Sequence, residues 1–86
     1  MDIKELISEK LEIPQEVITD VAKITIIGTK EVFVENYTEL IECKEKSISL
    51  KYKKGMIEIS GDGLKIRAIG EKNIAIFGEV ANVRLV

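Results

Sequence analysis

The feature that most constrains the fold is the alternation of apolar and polar side chains through residues 47–69. A period of two separates two faces only in an extended strand, because successive side chains of a strand point to opposite sides of a sheet. Lys54-Gly55 and Gly61-Asp62-Gly63 interrupt the alternation with residues typical of turns. The sequence therefore predicts an antiparallel meander of three strands with one face on a core. The predicted apolar face comprises Ile48, Leu50, Tyr52, Ile57, Ile59, Leu64, Ile66 and Ala68.

Segments of the same kind recur from residue 23 to the end of the chain. Short apolar runs are separated by glycine, asparagine or charged residues at intervals of roughly eight or nine residues. We expect an all-β fold of about eight short antiparallel strands, arranged as a sandwich, roll or barrel. A β-solenoid, which also advances at a fixed repeat, is the alternative architecture. The apolar pairs that define the strands are residues 24/26, 32/34, 41/43, 48/50, 57/59, 64/66, 74/76 and 83/85.

Residues 2–20 follow a helical rather than an alternating pattern. Asp2 and Glu5 have the spacing of a capping box, and apolar residues then recur on one stripe as far as Leu11. The pattern predicts a short helix over residues 3–11 that docks on an open face of the sheet. We expect one domain, 1–86, with a helical segment, 2–20, before a β domain, 23–86.

Composition excludes several classes of protein. A net charge of −2 over 86 residues argues against a nucleic-acid module, which normally carries a basic surplus. No apolar run approaches the roughly 20 residues of a membrane helix, and the N-terminus lacks the pattern of a signal peptide. Because Cys43 is the only cysteine, no internal disulfide is possible, and a reducing, intracellular setting is expected.

No group of residues predicts catalysis. The chain has no histidine, the side chain best suited to proton transfer at neutral pH. Cys43 occupies an inward position of its predicted strand, where we expect a buried small hydrophobe rather than a nucleophile. The carboxylates are scattered over strands and turns, without the spacing of a calcium loop. We therefore expect a non-enzymatic protein with no cofactor and no metal.

One candidate interaction surface is apolar. Ile27, Phe33, Phe77 and Ile69 fall on the side of their strands opposite to the main apolar pairs. Either the sheet closes or the helix covers them, or they form an exposed patch for self-association or a partner. The last strand, through Val86, is also a candidate open edge that could accept another strand.

The other candidate surface is basic. The outward side of the predicted meander carries Lys51, Lys53, Lys54, Lys65 and Arg67. These residues form either a solvated face that resists edge aggregation, or a docking patch for an acidic protein or anionic headgroups.

A series of short motifs spread over nearly the whole chain resembles one known family. In chain order the motifs are Ile13-Pro14-Gln15-Glu16-Val17, Asp20, Ile24-Thr25-Ile26-Ile27-Gly28, Val34-Glu35-Asn36-Tyr37, Leu40-Ile41-Glu42, Lys54-Gly55, Ile59, Gly61, Leu64-Lys65-Ile66 and Ile76-Phe77-Gly78. This series resembles the YabP/YqfC family of endospore-formation proteins, and its YqfC-like branch in particular. Ala22 stands where we expect a proline, and Cys43 where many relatives carry an aromatic residue; both look like packing variations.

The resemblance implies a role in sporulation rather than a chemistry. Family members belong to the mother-cell programme of spore-forming Firmicutes, and no catalytic residues are attributed to them. A membrane-embedded sporulation protein is an expected partner, and homo-oligomers are an option. The implied location is the mother-cell cytoplasm, with peripheral attachment to the forespore membrane as a variant. The main hypothesis is an interaction or assembly module; the alternative is a small-ligand or carbohydrate-binding domain that uses Phe33 and Phe77.

Overall fold

A computed structural model describes residues 21–86, which form one antiparallel sheet of six strands. The strands are β1 (Lys23–Ile27), β2 (Glu31–Glu35), β3 (Glu39–Cys43), β4 (Ser47–Tyr52), β5 (Gly55–Ile69) and β6 (Asn73–Leu85). Their order across the sheet is β1-β2-β6-β5-β4-β3. The prediction of an all-β antiparallel fold is confirmed, and this open antiparallel sheet does not have the architecture of a β-solenoid. The predicted helix, 3–11, lies outside the described residues.

The predicted number of strands is wrong. In two places, two successive predicted strands form a single long strand in the structure. β5 continues through Gly61-Asp62-Gly63, which is therefore not a turn, and β6 continues through Gly78. The predicted three-stranded meander is thus the β4–β5 hairpin, with its turn at Lys53-Lys54, followed by the second half of β5.

A change in the side-chain alternation explains this error. Ile57 and Ile59, at odd positions, are buried in the first half of β5, whereas Leu64, at an even position, is buried in the second half. The pairing of β5 with β6 shifts register between Ser60 and Gly61 and again between Asp62 and Lys65. A bulge adds a residue to one strand and so exchanges the two faces. In sequence, a glycine-containing bulge resembles a turn between two strands.

The β5–β6 hairpin links two halves of the sheet. β4 pairs with β5 only over Gly55–Ser60, and β2 pairs with β6 only over Asn73–Phe77. We call the part around β3 and β4 the β4 half, and the part around β1 and β2 the β2 half. The register shifts lie between these halves, and bulged strands bend at such points.

Both halves contribute to one core. Its buried members form a single cluster: Val32, Val34, Tyr37, Ile48, Leu50, Ile57, Ile59, Leu64, Ile74 and Ile76. The predicted pairs 32/34, 48/50, 57/59 and 74/76 are confirmed as core residues, each with no exposed surface. None of the described residues is a buried polar or charged side chain.

The predicted core pair 41/43 in β3 is wrong. Pairing of β3 with β4 shifts register between Leu40 and Glu42, so that Ile41 is the extra residue of a bulge. Leu40 packs against the core instead, and Ile41 remains 47% exposed. Cys43 lies beside Ile48 but is exposed, because β3 is an edge strand and no further strand covers it.

Candidate functional site

Three of the predicted apolar site residues lie on one face of the β2 half, which we call the outer face. The strand register places Thr25, Phe33 and Ala75 side by side, and Ile27, Glu31 and Phe77 in the next row. Phe33 and Phe77 are half-buried, and Ile27 is 54% exposed. Because the carboxylate residue Glu31 lies between Ile27 and Phe77, these residues do not form a continuous apolar patch.

Ile69 does not share the outer face, contrary to the prediction. Arg67 is an extra residue where the pairing of β5 and β6 shifts register between Ile66 and Ala68. The shift places Ile69 beside the buried Ile74, on the core side of the sheet. Ile69 is nevertheless 58% exposed.

Arg67 covers Phe77. Its guanidinium carbon lies 4.4 Å from the centroid of the Phe77 ring, a distance at which a cation is attracted to the negative face of an aromatic ring. Lys65 lies directly across from Phe77 in the strand register. One face of the Phe77 ring, a candidate surface for ligand binding, is therefore already covered by the side chain of Arg67.

The predicted basic surface is divided in two. Lys51 lies beside Glu39 of β3, and Lys53 and Lys54 form the β4–β5 turn. Lys65 and Arg67 lie beyond the two register shifts between Ser60 and Lys65, in the β2 half. Since β5 is one strand rather than two antiparallel ones, Lys65 is displaced from the turn by on the order of 30 Å of strand length. The five basic side chains do not form one docking patch.

A shallow groove of about 610 Å³ lies where the two halves meet. Its lining includes Lys30, Asp62, Lys65, Arg67, Phe77 and Glu79. Lys30, in the β1–β2 turn, forms an ion pair with Glu79 of β6. Phe33 does not line this groove, so the two aromatic residues of the ligand-binding hypothesis do not share a concave site. Lys30, Asp62 and Glu79 were not predicted as site residues, because only the strand order brings them together.

The open sheet also leaves strand edges unpaired among the described residues. β3 is protected by its bulge and by two charged residues, Glu39 and Glu42, since bulges and charges hinder the addition of another strand. The second half of β5 is likewise bulged at Arg67. The part of β6 after Phe77, which does not pair with β2, starts beside the β1–β2 turn. There the Val80 amide donates a hydrogen bond of 2.7 Å to the Thr29 carbonyl.

Within residues 21–86, β1 is the least protected edge. Its pairing with β2 is regular throughout, and its only charged residue is Lys23 at its start. Ile26 and Ile27 point to opposite faces and are 53% and 54% exposed, respectively. The sequence predicts an open edge at the last strand but does not predict the edge at β1. The sequence signal for an open edge at β1 is that this strand contains only one charged residue and no proline, the residues that usually protect an edge.

Within residues 21–86, no group of three histidine, cysteine, aspartate or glutamate side chains could hold a metal ion. No helix in the same part of the chain is long and apolar enough to cross a membrane.

Comparison with known proteins identifies the family. A family model described as the YabP family matches residues 19–86. The chain belongs to the YabP/YqfC family. Among its relatives, the "Uncharacterized protein YqfC" of Bacillus subtilis (strain 168) is 33% identical over 84 residues, covering 98% of this chain and 90% of the relative. No solved structure is similar enough to count as a match.

Several of the motifs within residues 21–86 that carry the YabP/YqfC resemblance have structural roles in this fold. Asn36 has a positive φ of 67°, and its side-chain amide donates to the Val21 carbonyl at 3.0 Å. Tyr37 is buried, and Gly61 and Gly78 lie where the register of β5 and β6 shifts. The motif Ile24-Thr25-Ile26-Ile27-Gly28 differs from the others because most of it is the unprotected edge β1.

Proposed function

We propose that this YabP/YqfC-family chain is a non-enzymatic interaction or assembly module in endospore formation. The observation that carries the proposal is the outer edge of β1, which no described strand covers and where Ile26 and Ile27 are both more than half exposed. An edge strand offers unpaired backbone donors and acceptors, and adding a strand to it is a common mode of protein association.

The distribution of charge supports an edge rather than a face as the interaction site. On the outward side of the β4 half, Glu58 and Arg84 are cross-strand neighbours joined by hydrogen bonds of 2.6 and 3.2 Å. Lys30 and Glu79 are paired at the groove. Exposed ion pairs of this kind are typical of surfaces that remain in water, and each contributes little to stability.

The family name is associated with sporulation, and this supports the proposed role in endospore formation. A membrane-embedded sporulation protein in the mother cell is the partner we propose, with the chain itself in the cytoplasm or peripheral at the forespore membrane. This partner would meet the chain at β1, an end strand of the sheet on which Ile26 and Ile27 are more than half exposed.

Complementation in a spore-forming bacterium that lacks its own YqfC-like gene tests the proposal. The wild-type chain should restore heat-resistant spores and form cross-links to itself or to a membrane protein during sporulation. Ile26→Glu places a charge on β1, and Ile41→Glu places the same charge on the bulged edge β3, where the side chain is similarly exposed. We expect Ile26→Glu to lose both spores and cross-links, and Ile41→Glu to retain them. Full complementation by Ile26→Glu would contradict the proposal.

The alternative of a ligand-binding domain depends on the groove beside Phe77. A sugar would have to stack on the ring face that Arg67 leaves uncovered, or displace Arg67. Titration of the protein with mono- and disaccharides, followed by amide chemical shifts, distinguishes the two hypotheses. Saturable shifts confined to Phe77, Gly78 and Glu79 would favour ligand binding, and unchanged spectra would exclude these sugars as ligands.

A further inference from the structure

We propose that two copies of this chain pair antiparallel through β1, centred on Thr25, so that their six-stranded sheets become one continuous sheet. The inference rests on the proposed assembly function and names its partner, a second copy of the same chain. Such an interface is isologous: the same five residues, Lys23–Ile27, contribute from both copies and close a two-fold dimer.

β1 is the edge best suited to accept a regular strand. The edges of β3 and of the second half of β5 contain register shifts, which displace the backbone groups that an added strand would need. At the end of β6, the β1–β2 turn already contacts Val80 and lies in line with any strand added beyond it. The five residue pairs between β1 and β2 follow one another without a shift, so that the outer edge of β1 is regular as well.

The sequence of β1 is complementary to itself in the antiparallel register centred on Thr25. Thr25 then faces Thr25 of the second copy on the outer face, a favourable cross-strand pair. Ile24 faces Ile26 of the second copy on the core side. This contact would cover Ile26, which is 53% exposed in the single chain.

The same register avoids repulsion between like charges. Lys23 faces Ile27 of the second copy, and the two Lys23 side chains lie at opposite ends of the interface. The alkyl stem of Lys23 can therefore pack on Ile27, which is 54% exposed in the single chain, while its ammonium group stays in water. This arrangement of charge favours a second copy over an acidic partner strand, for which only Lys23 would supply a complementary charge.

The small size of the interface sets the conditions of the experiment. Stable protein interfaces bury roughly 1,200–2,000 Å² in total, and two five-residue strands provide less. We therefore expect a reversible dimer whose population rises with concentration. Sedimentation velocity of the full chain over a range of on the order of 10–500 μM is the appropriate measurement, since this range brackets weak association constants.

Two substitutions at Ile27 test both the edge and the register. Ile27→Lys places a lysine opposite Lys23 of the second copy, twice in each dimer, and should weaken dimerisation by about tenfold or more. Ile27→Glu instead places a carboxylate opposite Lys23 and should leave dimerisation equal to the wild type or stronger. Within one chain the expected effects are reversed, because residue 27 lies beside Glu31. Loss of the dimer in Ile27→Lys could therefore not be attributed to a destabilised fold.

A cross-linking experiment tests the register independently. In a Cys43→Ser background, Thr25→Cys places two thiols directly opposite each other, with Cβ atoms roughly 4.5–5.5 Å apart, close to the separation in a disulfide. Ile27→Cys is the control, because the two thiols would lie roughly 13 Å apart along the paired strands. Mild oxidation should give covalent dimers of Thr25→Cys at least tenfold faster than of Ile27→Cys.

Three results would overturn the proposal. The first is a wild-type chain that stays monomeric throughout the concentration range. The second is a dimer that Ile27→Lys leaves intact, and the third is equal cross-linking of the two cysteine variants. A monomer in which Ile27→Lys lowers the melting temperature would indicate that another segment of the same chain covers β1. In each case the sporulation assay tests the proposed assembly function separately from the dimer. A chain that binds another protein through β1 would pass that assay without forming this dimer.

Discussion

The backbone of Gly61 in β5 lies directly against the carbonyl oxygen of Glu79 in β6, so that a side chain at residue 61 would overlap that oxygen. On the same stretch of β6, Gly78 has a φ of 140°, and a Cβ there would lie 2.7 Å from the Gly63 carbonyl oxygen. These close approaches occur where the register shifts and the two halves of the sheet meet. Glycine at these positions allows the long hairpin to bend without separating its strands.

Replacing Gly61 should therefore be costly. We expect Gly61→Ala to lower the free energy of unfolding by about 2–4 kcal/mol, because backbone atoms rather than a flexible side chain must move. Gly28→Ala is the control: a Cβ there meets nothing within 4 Å, although Gly28, unlike Gly61, has a positive φ, of 57°. It should cost only the intrinsic strain of that conformation, about 1–2 kcal/mol. Urea unfolding of both variants gives the comparison, and equal losses would contradict a close contact at Gly61.

The alternation of buried residues in β5 predicts unequal effects for two identical substitutions. Ile59 lies beside Ile48, and both are fully buried, whereas Ile69 in the same strand is 58% exposed. Ile59→Ala should cost about 2–5 kcal/mol through lost burial and a cavity. Ile69→Ala should cost less than about 1 kcal/mol, since surface substitutions rarely cost more. If thermal unfolding gave similar losses for both, the exposure of Ile69 at the end of β5 would be contradicted.

The contact of Arg67 with Phe77 should be measurable as a coupling between the two residues. A double-mutant cycle with Arg67→Gln and Phe77→Leu should give about 0.5–1 kcal/mol, the usual strength of a cation–π interaction at an exposed site. Arg84→Gln serves as control, because Arg84 is also an exposed arginine of the sheet but pairs with Glu58. The losses in the free energy of unfolding caused by Arg84→Gln and by Phe77→Leu should simply add in the double variant. A zero value in the first cycle would mean that Arg67 does not cover the ring in solution.

The exposure of Cys43 predicts a reactive thiol in the folded protein. Because Cys43 is exposed at the end of β3, its reaction with a coloured disulfide reagent should be nearly as fast in buffer as in 6 M urea, about the concentration that unfolds a small domain. Cys43→Ser should show no reaction, since the chain has no other cysteine. A buried cysteine, as expected from the sequence, would react only when the domain opens. A reaction strongly slowed in buffer would restore that expectation.

Prediction of the candidate site from sequence succeeded only where neighbours along one strand were sufficient. The outer-face positions of Ile27, Phe33 and Phe77 follow from the period of two within each strand. Lys30 and Glu79 are far apart in sequence, and only the pairing of β2 with β6 brings them to the same groove. The edge at β1 was missed for a related reason: whether a strand has one neighbour or two is a property of the whole sheet.

The sequence by itself determined where most strand residues lie, four of the eight buried pairs, and the turns at Gly28, Asn36 and Lys54. These features depend on side-chain alternation and on backbone preferences within a few residues, and both are local. Tertiary structure alone decided that Gly61 and Gly78 lie beside bulges in continuous strands rather than in turns, and which strands lie at the edges. A bulge and a turn carry the same local signal, and hydrogen bonds to a distant strand choose between them. The pairing of distant strands therefore gave six strands instead of about eight, separated the basic residues into two groups, and placed β1 at an edge of the described sheet.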